Sequence, residues 1–243
     1  MVFITGGGRR IGAAISSLLM KSGYYVLIHV RNSVVDAQSI IDEHSKLNDG
    51  QISGDIIQGD LLSDDISKLI DSVINHPKVV EYGGLFGLIN NASIYQPISF
   101  SELTFEEFKN NFTIHVDVPF LLTKGLYDSL KAKSGSVIGI VDTSQGRAWQ
   151  DLTHYTASKN ALRQMMINLA GDLHPHVRVN CIAPGAIVSA DWEAEHFASV
   201  LEVVPMGRSG EPNDIANAAK FLLESSHISG QTINVDGGWT LVE

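Results

Sequence analysis

The chain has 243 residues, 44% of them apolar and 18% charged, enough to bury the core of one large domain. Lys and Arg total 17 against 27 Asp and Glu, and the formal charge of −10 disfavours a nucleic-acid partner. Cys181 is the single cysteine, which rules out an intramolecular disulfide, and no run of about 18 apolar residues is present to span a membrane.

Met1 to Thr5 is too short for the apolar stretch of a secretory signal, and Arg9-Arg10 follow it instead of preceding it. A cytoplasmic protein is therefore expected. No linker, repeat or low-complexity tract divides residues 1–243, so one domain is expected as well.

In chain order, Val2-Phe3-Ile4 reads as a first short strand. The spacing of Ile11, Ile15, Leu18 and Leu19 gives a helix, and Gly23 is placed to end it in the left-handed C′ position. Further strands are expected over Tyr24 to Val30, Asp55 to Gln58, Leu85 to Ile89, Ser136 to Val141, Val177 to Ile182 and Thr232 to Val235. None alternates apolar with polar, which is the pattern of strands covered on both faces. Thr104 with Glu107 forms a capping box ahead of a helix carrying Phe108, Phe112 and Val116. Pro212 opens a helix carrying Ile215, Ala218, Ala219 and Leu222. Strands alternating with helices imply an α/β fold with about seven parallel strands and helices on both faces.

Thr5-Gly6-Gly7-Gly8-Arg9-Arg10-Ile11-Gly12 lies between the first strand and the first helix. Glycines there let backbone approach a pyrophosphate, and the helix start offers free N–H groups. A plain glycine-rich turn is the other reading. The second strand ends His29-Val30-Arg31-Asn32-Ser33, with no carboxylate before Asp36. An NAD site usually carries an acid at that end, whereas Arg31, Asn32 and Ser33 suit a 2′-phosphate, so NADP(H) is expected. Arg31 read alone is equally a solvated loop cation.

Tyr155 and Lys159 stand four residues apart and share a helix face. A tyrosine, with an ordinary pKa of about 10, needs a neighbouring cation to become a useful proton donor at neutral pH.

Thr5 to Gly12, Asn90-Asn91-Ala92, Tyr155 to Lys159, Pro184-Gly185 and Asp236-Gly237-Gly238 together resemble the short-chain dehydrogenase/reductase family over essentially the whole chain. The resemblance implies a Rossmann-type fold, a nicotinamide cofactor and hydride transfer with Tyr155 as proton donor and Lys159 beside it. It implies that Gly6, Arg9, Arg10, Ile11 and Gly12 border the cofactor, with Asp60 and Leu61 at its adenine. Asn90, Ala92, Ser93, Pro184 and Gly185 would border it further on. A homotetramer is also implied.

Departures from the family pattern carry further information. Asp142 stands thirteen residues before Tyr155, where most members have a Ser. Arg10 replaces a usual Gly, Ser93 follows Asn-Ala in place of Gly, Tyr95 follows closely, and His115 stands where an Asn usually supports a proton-relay water. Arg10, Ser93, Tyr95 and Asp142 resemble the pteridine reductase branch. Tyr95 would then stack on a pterin, Arg10 and Ser93 would contact it, and Asp142 with Tyr155 would deliver the proton.

Two other functions stay open on the sequence: a carbonyl reductase of the 3-oxoacyl-carrier-protein type, and a silent NADP-binding sensor. Asp142 also reads as a strand-end cap, with Thr143 or Ser144 doing the serine's work. Residues 186–205 are expected to form the substrate loop, with Trp192, Phe197 and Val200 closing on a small-molecule ligand. No metal site is expected, since His174-Pro175-His176 lacks partner ligands.

Overall fold

The computed structural model describes residues 1–47, 51, 53–144, 146–189 and 194–242. Seven parallel strands form one sheet: β1 (Val2–Ile4), β2 (Val26–Val30), β3 (Gly54–Gln58), β4 (Gly87–Asn90), β5 (Ser136–Ile140), β6 (Arg178–Pro184) and β7 (Thr232–Val235). Their order is β3-β2-β1-β4-β5-β6-β7. Val2 pairs with Val26 on one side of β1 and with Gly87 on the other. Strand order therefore reverses at β1, and a crevice opens beyond the carboxyl ends of β1 and β4.

Successive side chains of a strand face opposite sides of the sheet, and along β1, β2, β4 and β5 both sides are dry. The edge strands instead expose Asp55 and Gln58 in β3 and Asn234 in β7. Phe3, Leu27, Leu88 and Val137 pack in one core, and Val2, Ile4, Ile28, Ile89 and Ile138 pack in the other. That is why none of these strands alternates in sequence. The second core is covered by α1 (Arg10–Lys21), α2 (Val34–Leu47) and a C-terminal helix, Pro212–Glu224. The first is covered by α3 (Ile66–Ile74), α4 (Pro77–Tyr82), α6 (Val118–Gly125), α7 (Tyr127–Lys131) and α8 (Thr153–Asp172), with α5 (Phe105–Phe112) packed outside on α8. After β6 come α9 (Ala194–Val203) and then the C-terminal helix, α10.

Local signals acted where they stood. Gly23 adopts φ 87°, and the N–H groups of Gly23 and Tyr24 donate to the carbonyls of Met20 and Leu19, closing α1. The Thr104–Glu107 capping box opens α5, and Pro212 stands in the first turn of α10. The helix expected to run on through Val116 instead widens into a π-turn at Thr113–Asp117 before α6. Pro119 has no N–H to bond the carbonyl four residues back, and the wider turn re-routes the backbone around that gap. No described helix is long and apolar enough to cross a membrane.

Candidate active site

A cleft of about 740 Å³ opens at the crevice beyond β1 and β4. At one end lies the glycine turn. Gly6 adopts φ 63°, a Cβ on Gly8 would come within 2.7 Å of Ser33 Oγ, and one on Gly12 would overlap the Gly6 carbonyl oxygen. The turn has room for backbone only. No side chain caps α1 and no acid stands in its first turn, so its first N–H groups face the cleft end without a protein partner for charge. A backbone cradle and a free helix start beside Arg31, Asn32 and Ser33 fit a phosphorylated dinucleotide.

Two residues that the sequence reading passed over hold this turn. Asn91 Nδ2 donates to the carbonyls of Thr5 and Gly6, each at 3.0 Å. His29 sits behind it, its Nε2 3.1 Å from Gly59 O and its Nδ1 accepting a long bond from Gly6 N–H. A carbonyl only accepts, so Nε2 carries the proton. Burial pushes the imidazole down to about 4, which keeps it neutral and able to accept. The sequence signal was a lone imidazole inside an otherwise apolar strand.

Ile11, Ala92, Ser93, Pro184 and Gly185 line the cleft, as do Asp60 and Leu61 after β3. Arg9 lines it with its Nε bonded to Asp36 at 2.7 Å, so the first acid after β2 is engaged by a cation. Arg10 adopts φ 51°, the left-handed region that explains why a Gly is usual there, and its guanidinium donates to Val188 O at 2.6 Å. Asn90 does not line the cleft. Its side chain ends β4 in the interior, with both amide atoms unpaired among the described residues, and Asn91 takes the lining position. Trp192 lies outside the described residues, while Phe197 and Val200 of α9 line the cleft as expected.

The other end of the cleft holds the ionisable groups. Tyr155 on α8 donates its hydroxyl to Asp142 Oδ2 at 2.9 Å. Asp142 Oδ1 accepts from Ser144 N–H at 2.7 Å, so the carboxyl both caps the strand end and meets the phenol. Burial raises its pKa above the usual carboxylate range, against the opposing pull of those bonds and of Lys159. Lys159 donates to Ile140 O at 2.8 Å and lies 5.7 Å from the Tyr155 ring centre. Burial lowers Lys159 to about 8, with Asp142 opposing.

Thr143 donates to Pro184 O at 3.1 Å and Ser144 Oγ is buried, so neither hydroxyl reaches the cleft. Tyr95 meets the Tyr155 ring at 4.8 Å between centres. Both ring nitrogens of His115 are occupied at 2.8 Å, by Ser93 Oγ and Ser158 Oγ, and neither turns to Lys159. Trp149 and Trp239, with ring centres 5.6 Å apart, add an aromatic wall that no sequence period announced. His174 bonds Gly171 O, and no group of three possible metal ligands occurs among the described residues.

A seven-stranded dinucleotide-type sheet with a Tyr-Lys pair on α8 defines an oxidoreductase architecture. Residues 7–240 match the family model described as enoyl-(acyl carrier protein) reductase, and the chain belongs to the short-chain dehydrogenase/reductase family. It is similar to FolM alternative dihydrofolate reductase 1 from Brucella suis, solved in complex with NADP, at 30% identity and TM-score 0.89 over 100% of this chain and 95% of that one. Acetoin dehydrogenase from Enterobacter cloacae is similar at 25% identity and TM-score 0.86, over 100% and 96%. The uncharacterized oxidoreductase YmfI of Bacillus subtilis is 27% identical over 252 residues, 97% of each chain.

Proposed function

We propose that the protein is an NADPH-dependent reductase that adds hydride across a ring C=N bond of a pterin or dihydropterin. The observation that carries this reading is the 2.9 Å bond between Tyr155 and Asp142, a carboxyl where a carbonyl reductase would present a serine hydroxyl. Reduction of C=N needs a proton on nitrogen, and the phenol and carboxyl share one within reach of the cleft. The Tyr155 hydroxyl, bonded to Asp142 at 2.9 Å, is the proton source in this reading. The Lys159 ammonium favours the anionic products of that transfer. NADPH, when bound, supplies the hydride. Gly6, Gly8 and Gly12 would hold its pyrophosphate, Arg31 with Asn32 and Ser33 its 2′-phosphate, and Lys159 its nicotinamide ribose.

Tyr95 gives a flat heterocycle an aromatic wall, and the FolM neighbours, described as alternative dihydrofolate reductases with NADP, support both cofactor and substrate class. The inward turn of Thr143 and Ser144 weighs against the carbonyl-reductase reading. Within the same reading the protein is a cytoplasmic homotetramer. Exposed Phe105, Phe120 and Leu121 on α5 and α6 offer apolar surface for such contacts.

A panel of dihydrobiopterin, dihydromonapterin, dihydrofolate and an acetoacetyl thioester, each with NADPH, tests the proposal. A pterin should give the highest kcat/KM. Turnover of the thioester alone would overturn it.

A further inference from the structure

Ser93 and His115 both depart from the family pattern, and the fold brings them together. His115 is 1% exposed, sits in the π-turn between α5 and α6, and meets the Tyr155 ring edge-on at 5.7 Å. Its two bonds have a direction that the neighbouring groups fix. The Ser158 hydroxyl donates to the Tyr155 backbone carbonyl at 2.8 Å, so its oxygen is left to accept from His115 Nδ1–H. Burial and the charge of Lys159 hold the imidazole neutral, which leaves Nε2 as an acceptor. Ser93 must then donate to Nε2. The chain runs one way, from the Ser93 hydroxyl through His115 and Ser158 to the carbonyl of Tyr155.

The segment beginning at Ser93 forms one wall of the cleft. It is tied to α8 a second time, where His154 Nε2 lies 3.0 Å from Gln96 O. Tyr95 falls between the two ties, facing Tyr155. The two rings touch, so Tyr95 walls the cleft beside the proton donor, and where a planar substrate can lie against that wall depends on where the 93–96 segment is pinned. A Gly at 93 would have no hydroxyl to give, and an Asn at 115 would be too short to reach it while still able to donate to Ser158.

We propose that Ser93 and His115 are a single positioning unit that pins the Tyr95 wall to the catalytic helix and thereby sets substrate affinity. The proposal rests on Tyr155 being the proton donor, but not on the substrate being a pterin. His115 does not itself exchange a proton with the reaction.

The test is a double-mutant cycle with Ser93→Ala, His115→Asn and the pair, read on the best substrate of the panel above. Each single change should raise KM by about tenfold with a smaller change in kcat, and the double variant should be no worse than either single one. NADPH affinity of His115→Asn, followed by cofactor fluorescence, should stay within about twofold of the parent. Nitrogen-15 NMR should show one neutral histidine protonated at Nδ1 whose signal vanishes in His115→Asn and whose Nε2 shifts in Ser93→Ala. Additive losses in KM, a fall in thermal stability with KM unmoved, or a proton on Nε2 would each overturn the proposal. If no compound on the panel is reduced, the Tyr155 reading has failed, and the NMR arm alone decides whether the Ser93–His115 link exists.

Discussion

Replacing Asp142 with asparagine separates a proton source from a strand cap. In the parent, Oδ1 accepts from Ser144 N–H and Oδ2 accepts from Tyr155. An asparagine oxygen can keep the Ser144 bond, but its Nδ2 then faces the phenol and can accept nothing. The lost charge-assisted bond alone is worth about 1.5–3 kcal/mol, roughly ten- to 150-fold in rate. Losing a general acid brings the expected fall in kcat/KM to about 10²–10⁴-fold.

The pH response carries a second signature. Reduction takes up a proton, so the parent rate should hold at low pH and fall as pH rises through the titration of the Tyr155–Asp142 pair. Asp142→Asn should flatten the part of that limb due to the carboxyl. Stability moves in parallel. The folded pKa of Asp142 is raised, so its contribution is full below the ordinary carboxylate range and is lost as pH rises through the raised value. The variant should lack that slope. NADPH absorbance against pH, with parallel thermal melts, checks both. An asparagine variant turning over within about twofold of the parent across the pH range would reduce Asp142 to a cap.

Tyr155→Phe should lower turnover by about 10²–10⁴-fold while NADPH still binds, as measured by steady-state rates and fluorescence titration. Arg31→Asp should cost about 1.5–3 kcal/mol of NADPH binding, narrowing or reversing the preference over NADH in paired kcat/KM measurements. Lys159 titrates near 8 in the free protein, so NADPH affinity should weaken as pH rises past about 8 and the ammonium is lost. Lys159→Ala should bind NADPH weakly at every pH and remove that dependence. Gly12→Ala sets a methyl against the Gly6 carbonyl oxygen and should abolish measurable NADPH binding.

The fold was legible because its punctuation was local: Gly23, the Thr104–Glu107 box and Pro212 each act within a few residues of where they stand. The π-turn was not, since the helical period carries on through Val116 and only the missing N–H of Pro119 hints at a break. In the site, Tyr155, Lys159 and Asp142 could be placed by spacing along one helix and back to one strand end. Asn90 and Asn91 could not be told apart, because two adjacent amides differ only in which side of the β4 end they face. Trp149 lies in the loop before α8 and Trp239 opens a 3₁₀ turn after β7, far apart in sequence and with no period linking them. The partner of His115 was equally hidden, since Ser93 and His115 meet only where the 93–96 segment is bonded to the π-turn and to α8.

Hydride transfer to a pterin ring is the central claim, and an isotope experiment reads it directly. NADPH carrying deuterium on the transferable nicotinamide carbon is incubated with dihydropterin and the protein, and the product is analysed by mass spectrometry. The reading requires one deuterium on a ring carbon of the reduced pterin, formed by the parent and lost in Tyr155→Phe. NADPH consumption that leaves the pterin unlabelled, with deuterium appearing instead on the carbinol carbon of a reduced acetoacetyl thioester, would contradict it.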